Sequence, residues 1–336
     1  MSTTLPTHFT MRPAKMDDVE AVTALLTACA IEQIGEAQVE ACEIRNRWQS
    51  PHFNLETDSQ VVVAPDGKLV GHGAVWDVQP HVRIYGGGHV HPNYKGRGVG
   101  TALCQWVEER ARQAIPKAPE GARVVLLQST LGTDTSAQEL LRKQGYQLAR
   151  HAFRMVIEMD EPPPEPVVPE GLIIRPFVRG QEECAVLLAV REAFKDQWGY
   201  VERPFEEEYK ELVHRIDKDP GYDPSLWFVA TEGKEIAGMS LCHPKVVEDP
   251  DMGWVHVLGV RRPWRRQGLA LALLHHTFGE FYRRGKRKVG LGVDAQSLTG
   301  ATSLYEKAGM HVQRQYATYE KELRPGEDLS TQSVED

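Results

Sequence analysis

The order of signals in the first half of the chain recurs in the second half. Four pairs of residues share nearly the same offset, between 163 and 170 positions: Arg12 with Arg175, Gly67 with Gly233, Lys95 with Arg265, and Gly145 with Gly309. One such match would carry little weight, but four in the same order are hard to attribute to chance. The sequence therefore predicts two homologous modules in tandem.

A proline-rich segment separates the two copies. Residues 158–170 contain five prolines and five acidic residues, which is typical of an extended, semi-rigid spacer. At roughly 150 residues per domain, a chain of 336 residues has room for about two domains. We expect a first module at residues 1–157, a linker at 158–170, a second module at 171–324 and a disordered tail at 325–336.

The acidic charge of the chain lies mostly outside the modules. The formal charge is −8, yet nine acidic residues fall in the linker and in residues 325–336, and the remaining chain carries +1. A hydrophobic content of 41% and a charged content of 26% are typical of soluble globular domains. Near-neutral modules disfavour nucleic acid as a partner.

The cysteines indicate neither disulfides nor a metal site. There are five, an odd number, and none forms a C-x-x-C pair, so no zinc site is predicted. The N-terminal residues lack the apolar core of a signal peptide, and no apolar run approaches ~18 residues. We expect a cytoplasmic protein without a membrane anchor; its oligomeric state stays open, with a monomer plausible.

The sequence of each module predicts an α/β fold with a mixed sheet (α+β), in which helices flank the central β-sheet. Apolar runs at residues 61–76 and 227–241 are each interrupted by a Gly-Lys turn and predict β-hairpins. Residues 182–194 and 205–216 have helical spacing. Residues 269–282 predict a long helix with Leu271, Leu274 and Phe278 on one face.

The turn before that helix predicts a phosphate site. A strand that ends in a turn and enters a helix presents unpaired N–H groups and a positive dipole end to an anion. Gly268 allows close approach of the backbone, and the arginines can add charge-assisted hydrogen bonds. The predicted cofactor-binding residues are Arg265, Arg266, Gln267, Gly268, Leu269 and Ala270. Their counterparts in the first module are Lys95, Gly96, Arg97, Gly98, Val99 and Gly100.

A basic loop in solvent would explain the hexapeptide alone equally well. Its place after a strand and its repetition favour the phosphate hypothesis. The turn is neither a Walker loop nor a G-x-G-x-x-G dinucleotide motif, so kinase and dehydrogenase functions lose support.

R-x-x-G-x-A at residues 265–270, followed by VDAQSLTGATSLYEKAGM, resembles the coenzyme-A signature and the next motif of GNAT-superfamily N-acetyltransferases. The resemblance covers both halves, in a tandem layout similar to that of mycothiol-synthase-like proteins. It implies acetyl-CoA as the cofactor, with the pyrophosphate on the turn and the pantetheine along the preceding strand. The strand residues concerned are Leu258, Gly259 and Val260, with Gly88, His89 and Val90 as their counterparts. Gly259 would suit close approach of the ligand, although a bulge without a ligand is an alternative.

The resemblance also implies that Tyr305 is a general acid. A phenol titrates near ~10 and a thiol near ~8.5, so a tyrosine stays protonated and can donate to a departing thiolate. Packing on the helix with the hydroxyl near solvent is the alternative. The first module has Leu141 at the matching position, which cannot donate a proton. We expect the second module to catalyse and the first to be catalytically silent, with CoA binding there left open.

The general base is less defined. Where several GNAT enzymes have a glutamate, this chain has Trp254, so His256 and Asp294 are the candidate bases. A structural histidine and a turn-capping aspartate are the alternatives. The segment 195–200 includes Asp196, which could grip a cationic amine or belong to an ordinary surface loop.

We therefore predict an N-acetyltransferase that moves an acetyl group from acetyl-CoA to a primary amine of a small molecule or peptide by direct attack. No cysteine lies in either motif, which disfavours a covalent acyl-enzyme. One alternative is mycothiol-synthase-like acetylation of an amino-sugar conjugate, although Trp254 argues against a shared mechanism. The other is a non-catalytic acyl-CoA sensor or scaffold.

Overall fold

The Gly-Lys turns of the two repeats join antiparallel strands, as the sequence predicts. In a computed structural model that describes residues 5–219 and 221–333, Gly67 and Gly233 have φ of 82° and 57°. Glycine adopts this left-handed conformation without the steric penalty of a Cβ atom. The strands on either side of each turn pair in register, so each turn closes a hairpin.

Contacts divide the described chain into two units, residues 5–150 with 316–329 and residues 151–315 with 330–333. The strands of the first unit are β1 (Thr10–Pro13), β2 (Ser59–Val63), β3 (Leu69–Trp76), β4 (Arg83–Val90), β5 (Val124–Leu131) and residues 316–324 of the last strand, β12 (His311–Arg324). Its helices are α1 (Val19–Ile34), α2 (Ala41–Trp48), α3 (Leu55–Asp58), α4 (Val99–Arg112) and α5 (Thr135–Lys143). The strand order follows the numbering, and only β4 and β5 are parallel neighbours.

The second unit repeats this plan. Its strands are residues 152–158 of β6 (Gln147–Glu158), then β7 (Ile173–Pro176), β8 (Trp227–Glu232), β9 (Glu235–His243), β10 (Met252–Val260) and β11 (Lys288–Asp294). Its helices are α6 (Glu183–Phe194), α7 (Phe205–Lys218), α8 (Leu269–Arg283) and α9 (Ala301–Lys307). The sheet order is β6-β11-β10-β9-β8-β7, with β10 and β11 parallel. The predicted α/β fold with a mixed sheet and flanking helices is confirmed.

The core of the second unit lies between its sheet and the helices α8 and α9. Leu274 and Phe278 are fully buried there, and Leu271 packs against the same cluster, so the predicted apolar face of α8 is confirmed. On the other side of the sheet, α6 and α7 cover β8 and β9. The two faces of this sheet are therefore covered by different helices, α8 and α9 on one face and α6 and α7 on the other.

The last strand of each sequence repeat completes the sheet of the other unit. Residues 152–158, predicted to close the first module, pair with β11, and residues 316–324 pair with β5. The compact units thus differ from the modules predicted at 1–157 and 171–324. A local pattern identifies a strand but not its partner, which is why the sequence did not reveal this exchange.

The prediction of a disordered tail is wrong for residues 325–333. The Glu327 N–H donates to Gly121 O at 2.8 Å, and its carbonyl accepts from Arg123 N–H at 2.7 Å. Farther along, Thr331 exchanges backbone hydrogen bonds with Gly199 and Tyr200, at 2.7 and 2.9 Å. Residues 334–336 lie outside the described part. Residues 159–172 form neither helix nor strand, and they include the predicted linker except for Glu158, which ends β6.

Among the described residues, no helix has the length and apolar character needed to cross a bilayer, and no group of three or more candidate metal ligands occurs. All five cysteines are free thiols.

Substitution Tyr319→Ala tests the exchanged strand. Tyr319 of β12 is 0% exposed, accepts a hydrogen bond from Arg142 at 2.7 Å and donates one to Gln138 at 3.2 Å. Loss of this buried ring is expected to lower the free energy of unfolding by about 3–5 kcal/mol. In hydrogen exchange, the amides of β5 should lose protection while those of β11 keep theirs. Equal loss in both strands would contradict the assignment of residues 316–324 to the first unit.

Candidate active site

A cleft opens where two parallel strands of the second unit separate. β10 and β11 pair only from Met252 to Val255 on one strand and from Lys288 to Leu291 on the other, within the described chain. Next to this point β10 has a bulge, since Val255 pairs with Cys242 and Val257 with Leu241, which leaves His256 between them. The cleft has a volume of ≈ 790 Å³, and its walls include residues 258–260 and 292–294.

The predicted phosphate turn lies at one end of this cleft. Arg266 and Gly268 are both left-handed, with φ of 64° and 89°, and α8 begins immediately afterwards at Leu269. Gly268 is the N-cap and no side chain caps the first turn of the helix. A Cβ atom at Gly268 would meet nothing within 4 Å, so the backbone there faces open space. This arrangement suits an anion bound by backbone N–H groups.

Four arginines lie between residues 261 and 266, in and just before the turn, and they differ in their roles. Arg261 is paired with Glu192 at 2.6 Å and with Glu235 at 2.9 Å. Arg266 is exposed, and its side chain makes no hydrogen bond or ion pair within residues 5–219 and 221–333. Arg266 is therefore the arginine of the turn that is available to a phosphate group.

Asp196 holds the other two arginines in place. This carboxylate is 2% exposed, pairs with Arg265 and accepts from Arg262 Nε at 3.0 Å. Arg265 also donates to the carbonyl oxygens of Val260 and Ala193, each at 3.0 Å. These contacts correct two sequence hypotheses, because the Arg265 side chain braces the turn instead of reaching out to phosphate, and Asp196 is not available to an amine. The hydrogen bonds from Arg262 and then Arg265 lower the pKa of Asp196 to about 2.

Gly259 serves packing between elements. A Cβ atom there would lie 2.9 Å from Met239 Sδ, 3.0 Å from Ala193 Cβ and 3.1 Å from Phe194 Cε2. The missing side chain lets the end of α6 lie against β10. This packing is a structural reason for a glycine at this position, and Gly259 also lines the cleft.

Tyr305 lies on α9 and lines the same cleft. It is 7% exposed and packs in the core cluster with α8. Burial raises the pKa of its phenol to about 12. Its hydroxyl makes no hydrogen bond within the described part of the chain. The predicted acid and the predicted phosphate turn are thus brought to one cavity.

His256 lines the cleft and is engaged by an arginine. Its Nε2 lies 3.1 Å from Arg215 Nη1. Arginine can only donate, so Nε2 accepts and the proton of the neutral ring is on Nδ1. Removal from bulk water, the Arg215 charge and the neighbouring His243 lower the pKa of His256 to about 4. This makes the imidazole neutral at pH 7 and a weak base.

The other residues considered for proton transfer have structural contacts. Asp294 Oδ1 accepts from Gln296 N–H at 3.0 Å and caps the turn after β11. The Trp254 ring lies under the Arg154 guanidinium, with Cζ 4.8 Å from the ring centroid. Arg215 and His243 were not singled out by the sequence, since an arginine on a helix and a histidine at a strand end give no local signal.

The first unit contains a cleft of similar size, ≈ 800 Å³. β4 and β5 pair only from Arg83 to Tyr85 and from Val125 to Leu127, and then separate. Gly96 and Gly98 are left-handed, with φ of 74° and 85°, and α4 begins after Gly98. Lys95 pairs with Glu32 of α1, as Arg265 does with Asp196. Leu141 lines this cleft and is buried.

The predicted cofactor residues of the first module contribute unequally. Gly88, His89, Val90, Lys95, Gly96, Gly98 and Gly100 line the cleft. Arg97 donates to Asn93 O at 3.1 Å and lies over the Tyr94 ring. Val99 is buried in the core.

Sequence comparison identifies a family and a set of relatives. The model of the acetyltransferase (GNAT) family matches residues 19–146 and 187–310. A mycothiol acetyltransferase of Salinispora arenicola is 30% identical over 283 residues, 82% of this chain and 84% of that protein. A mycothiol acetyltransferase of Streptomyces scabiei is 29% identical over 308 residues, 90% of each chain.

Solved structures agree with the fold. A GCN5-related N-acetyltransferase from Sphaerobacter thermophilus is 38% identical, with a TM-score of 0.79, and the match covers 97% of this chain and 99% of that one. A tandem GNAT protein from the clavulanic acid biosynthesis pathway has a TM-score of 0.71 at 16% identity, covering 95% and 100%. The second likeness concerns the fold alone.

Substitution Asp196→Asn tests the brace of the phosphate turn. Because the pKa of Asp196 is depressed, its ion pairs stabilise the fold above the ordinary carboxyl pKa of ~3.8 and are lost as the pH falls toward 2. The variant should lose about 2 kcal/mol of unfolding free energy at pH 7 and show a flatter pH dependence between pH 4 and 2. Urea unfolding across this range measures both effects. Asp217→Asn, which breaks an exposed pair with Arg179, is the control and should change little; an unchanged profile in Asp196→Asn would contradict the brace.

Proposed function

The chain belongs to the acetyltransferase (GNAT) family and is an acyltransferase, and from this premise we propose that its second module transfers an acetyl group from acetyl-CoA to a primary amine by direct attack. One observation carries the proposal: a single cleft joins the phosphate turn at 265–270 to Tyr305. That cavity thus contains the two features that the reaction needs, an anion-binding turn and a protonated acid.

The residues of the cleft fit an acyl-CoA. Its pyrophosphate would bind the backbone N–H groups of residues 265–270, with Arg266 adding charge. The pantetheine amides would hydrogen-bond to the backbone of residues 258–260, the part of β10 that no longer pairs with β11. Open space at Gly268 supports close approach of the anion. When bound, the acyl-CoA supplies a thioester that an amine can attack.

Tyr305 is the proposed general acid. With a pKa near 12, its phenol stays protonated at all physiological pH values. A thiol titrates near ~8.5, so proton transfer from the phenol to the departing sulfur assists departure before a free thiolate accumulates. Tyr305 Oη–H is the donor and the sulfur is the acceptor.

We assign neither His256 nor Asp294 as a strong base. The Nε2 lone pair of His256 already accepts from Arg215, and Asp294 caps a turn. The acceptor is therefore proposed to enter the cleft as the free amine. The proton released from the attacking nitrogen then passes to water in the open cleft, and water returns a proton to the phenolate of Tyr305.

The first module is proposed to bind acyl-CoA without turnover. Its turn at 95–100 and the strand residues 88–90 repeat the cofactor side of the second cleft. Leu141 replaces the acid, so no proton donor is supplied at that position.

A second candidate concerns the acceptor. Two relatives named mycothiol acetyltransferase match 90% and 82% of this chain, which supports an amine on an amino-sugar conjugate. A further alternative is an acyl-CoA sensor, which the buried phenol of Tyr305 in the cleft disfavours. Five free thiols support a reducing compartment, so we place the reaction in the cytoplasm.

Release of free thiol from acetyl-CoA in the presence of a panel of primary amines tests the reaction, and Tyr305→Phe tests its acid. The substitution removes one hydroxyl and is expected to lower kcat about 10²- to 10⁴-fold with little change in KM for acetyl-CoA. Tyr282→Phe removes the same group from α8 outside the cleft and should keep full activity. Equal activity in the two variants would refute the role of Tyr305, and cofactor binding without thiol release on any amine would favour the sensor.

Gly268→Ala and Gly285→Ala separate strain from ligand binding. Both glycines are left-handed, with φ of 89° and 83°, and neither has an atom within 4 Å of an added Cβ. Each change should destabilise the fold by about 1 kcal/mol. Only Gly268→Ala should weaken acetyl-CoA binding in calorimetry, by about tenfold or more, because its methyl enters the anion site. Similar affinities for both variants would contradict the assigned turn.

A further inference from the structure

Three nitrogen-bearing side chains meet beside the cleft in what we call the α7 corner: Arg215 of α7, His243 at the end of β9 and His256 at the bulge of β10. Arg215 Nη1 donates to His256 Nε2 at 3.1 Å, and the two imidazole rings have centroids 5.6 Å apart. His256 also lines the cleft that contains Tyr305. The corner is therefore joined to the cleft through His256.

The charge of Arg215 is not neutralised by an ion pair. Its side chain is exposed, and its only hydrogen bond within residues 5–219 and 221–333 goes to His256. Other arginines in or near α6 and α7 are paired with carboxylates: Arg175 with Glu182, Arg191 with Glu208, and Arg203 with Glu211. Arg215 is an exception among them.

The acids nearest to Arg215 have other partners. Glu211 receives two hydrogen bonds from Arg203, at 2.9 and 2.6 Å. Asp219 accepts from Gly221 N–H at 2.7 Å and lies 3.5 Å from His243 Nδ1. Both carboxylates therefore act on Arg215 through space and not through a hydrogen bond. Because neither carboxylate bonds to the Arg215 side chain, an anion that reaches its guanidinium from the cleft would be stabilised by the positive charge.

The two histidines add hydrogen-bonding capacity without adding charge. Burial lowers the pKa of both imidazoles, so both rings are neutral at pH 7. The His256 ring carries its proton on Nδ1, since Nε2 accepts from Arg215. The corner thus presents one full positive charge and one further N–H donor.

We propose that the α7 corner binds a carboxylate of the acceptor, so that this enzyme acetylates amines that also carry a carboxylate. The inference rests on the proposed N-acetyltransferase function and names its acceptor class. Arg215 uses Nη1 for His256, which leaves the edge formed by Nε and Nη2 for a two-point contact with carboxylate oxygens. A single cation matches a monoanion better than a phosphate dianion. A neutral amino-sugar conjugate would leave Arg215 without a partner.

Matched acceptor pairs test this class. The panel consists of amino acids and dipeptides with a free carboxylate and the same compounds as C-terminal amides, assayed by thiol release from acetyl-CoA. The wild type should prefer the carboxylates at least tenfold in kcat/KM. Arg215→Gln should abolish this preference, mainly through a higher KM for the carboxylates. Absence of a preference in the wild type, or an equal loss on acids and amides in the variant, would overturn the proposal.

Controls identify the source of the effect. Lys210→Gln removes a cation from the same helix, about 140° away around the helix axis, and should keep the preference. Arg215→Lys keeps the charge but loses the planar fork, so it should recover only part of the preference. Aminoalkyl phosphates form a further arm, and a preference for them over carboxylates would also overturn the proposal.

A binding measurement keeps this test separate from the proposed reaction. If no acceptor supports thiol release, the proposed function fails, yet calorimetry with the same acids and amides in the presence of CoA still examines the corner. Tighter binding of the acids to the wild type, lost in Arg215→Gln, would support the carboxylate site. Equal or absent binding of acids and amides would refute it.

Discussion

The separation of β10 from β11 is the constraint on which the site depends. Parallel neighbours normally satisfy each other's backbone groups along their length, but these two pair over only four residues of each strand. The parting leaves backbone groups of β10 facing the cleft. It also places the N-terminus of α8 and the hydroxyl of Tyr305 on a common cavity. The bulge at His256 lies next to the parting and turns this side chain toward α7.

The two repeats share the geometry of the phosphate turn and differ at the position of Tyr305, the proposed acid. In each, the first basic residue of the turn is paired with an acid in or just after the first long helix of the repeat, Lys95 with Glu32 and Arg265 with Asp196. Each turn also has a left-handed glycine just before its helix. Leu141 and Tyr305 mark the difference, since one is inert and the other can donate a proton. Conservation of the turn geometry in a module without the acid is consistent with a binding role.

Features that depend on neighbouring residues could be predicted from the sequence, and features that depend on distant ones could not. The hairpins follow from Gly67 and Gly233, and the turn follows from Gly268 next to an apolar helix. The pairing of Asp196 with Arg265 joins residues 69 positions apart, and no local pattern encodes it. The ordered tail is a similar case, because Glu327 is held by backbone groups of residues 121 and 123. The packing of Gly259 is another such case, because the sequence does not show that Phe194 and Met239 lie against it.

The exchange of the closing strands makes each repeat structurally indispensable to the other. Residues 152–158, encoded by the first repeat, supply the strand beside β11 in the unit that carries Tyr305. A chain that lost its first repeat would leave β11 as an unpaired edge with exposed backbone groups. Under the proposed division of roles, selection for the unit that carries Tyr305 would also maintain part of the first repeat, even if that repeat contributes no chemistry. The duplication is, in this sense, irreversible: a return to a single repeat would require a new closing strand.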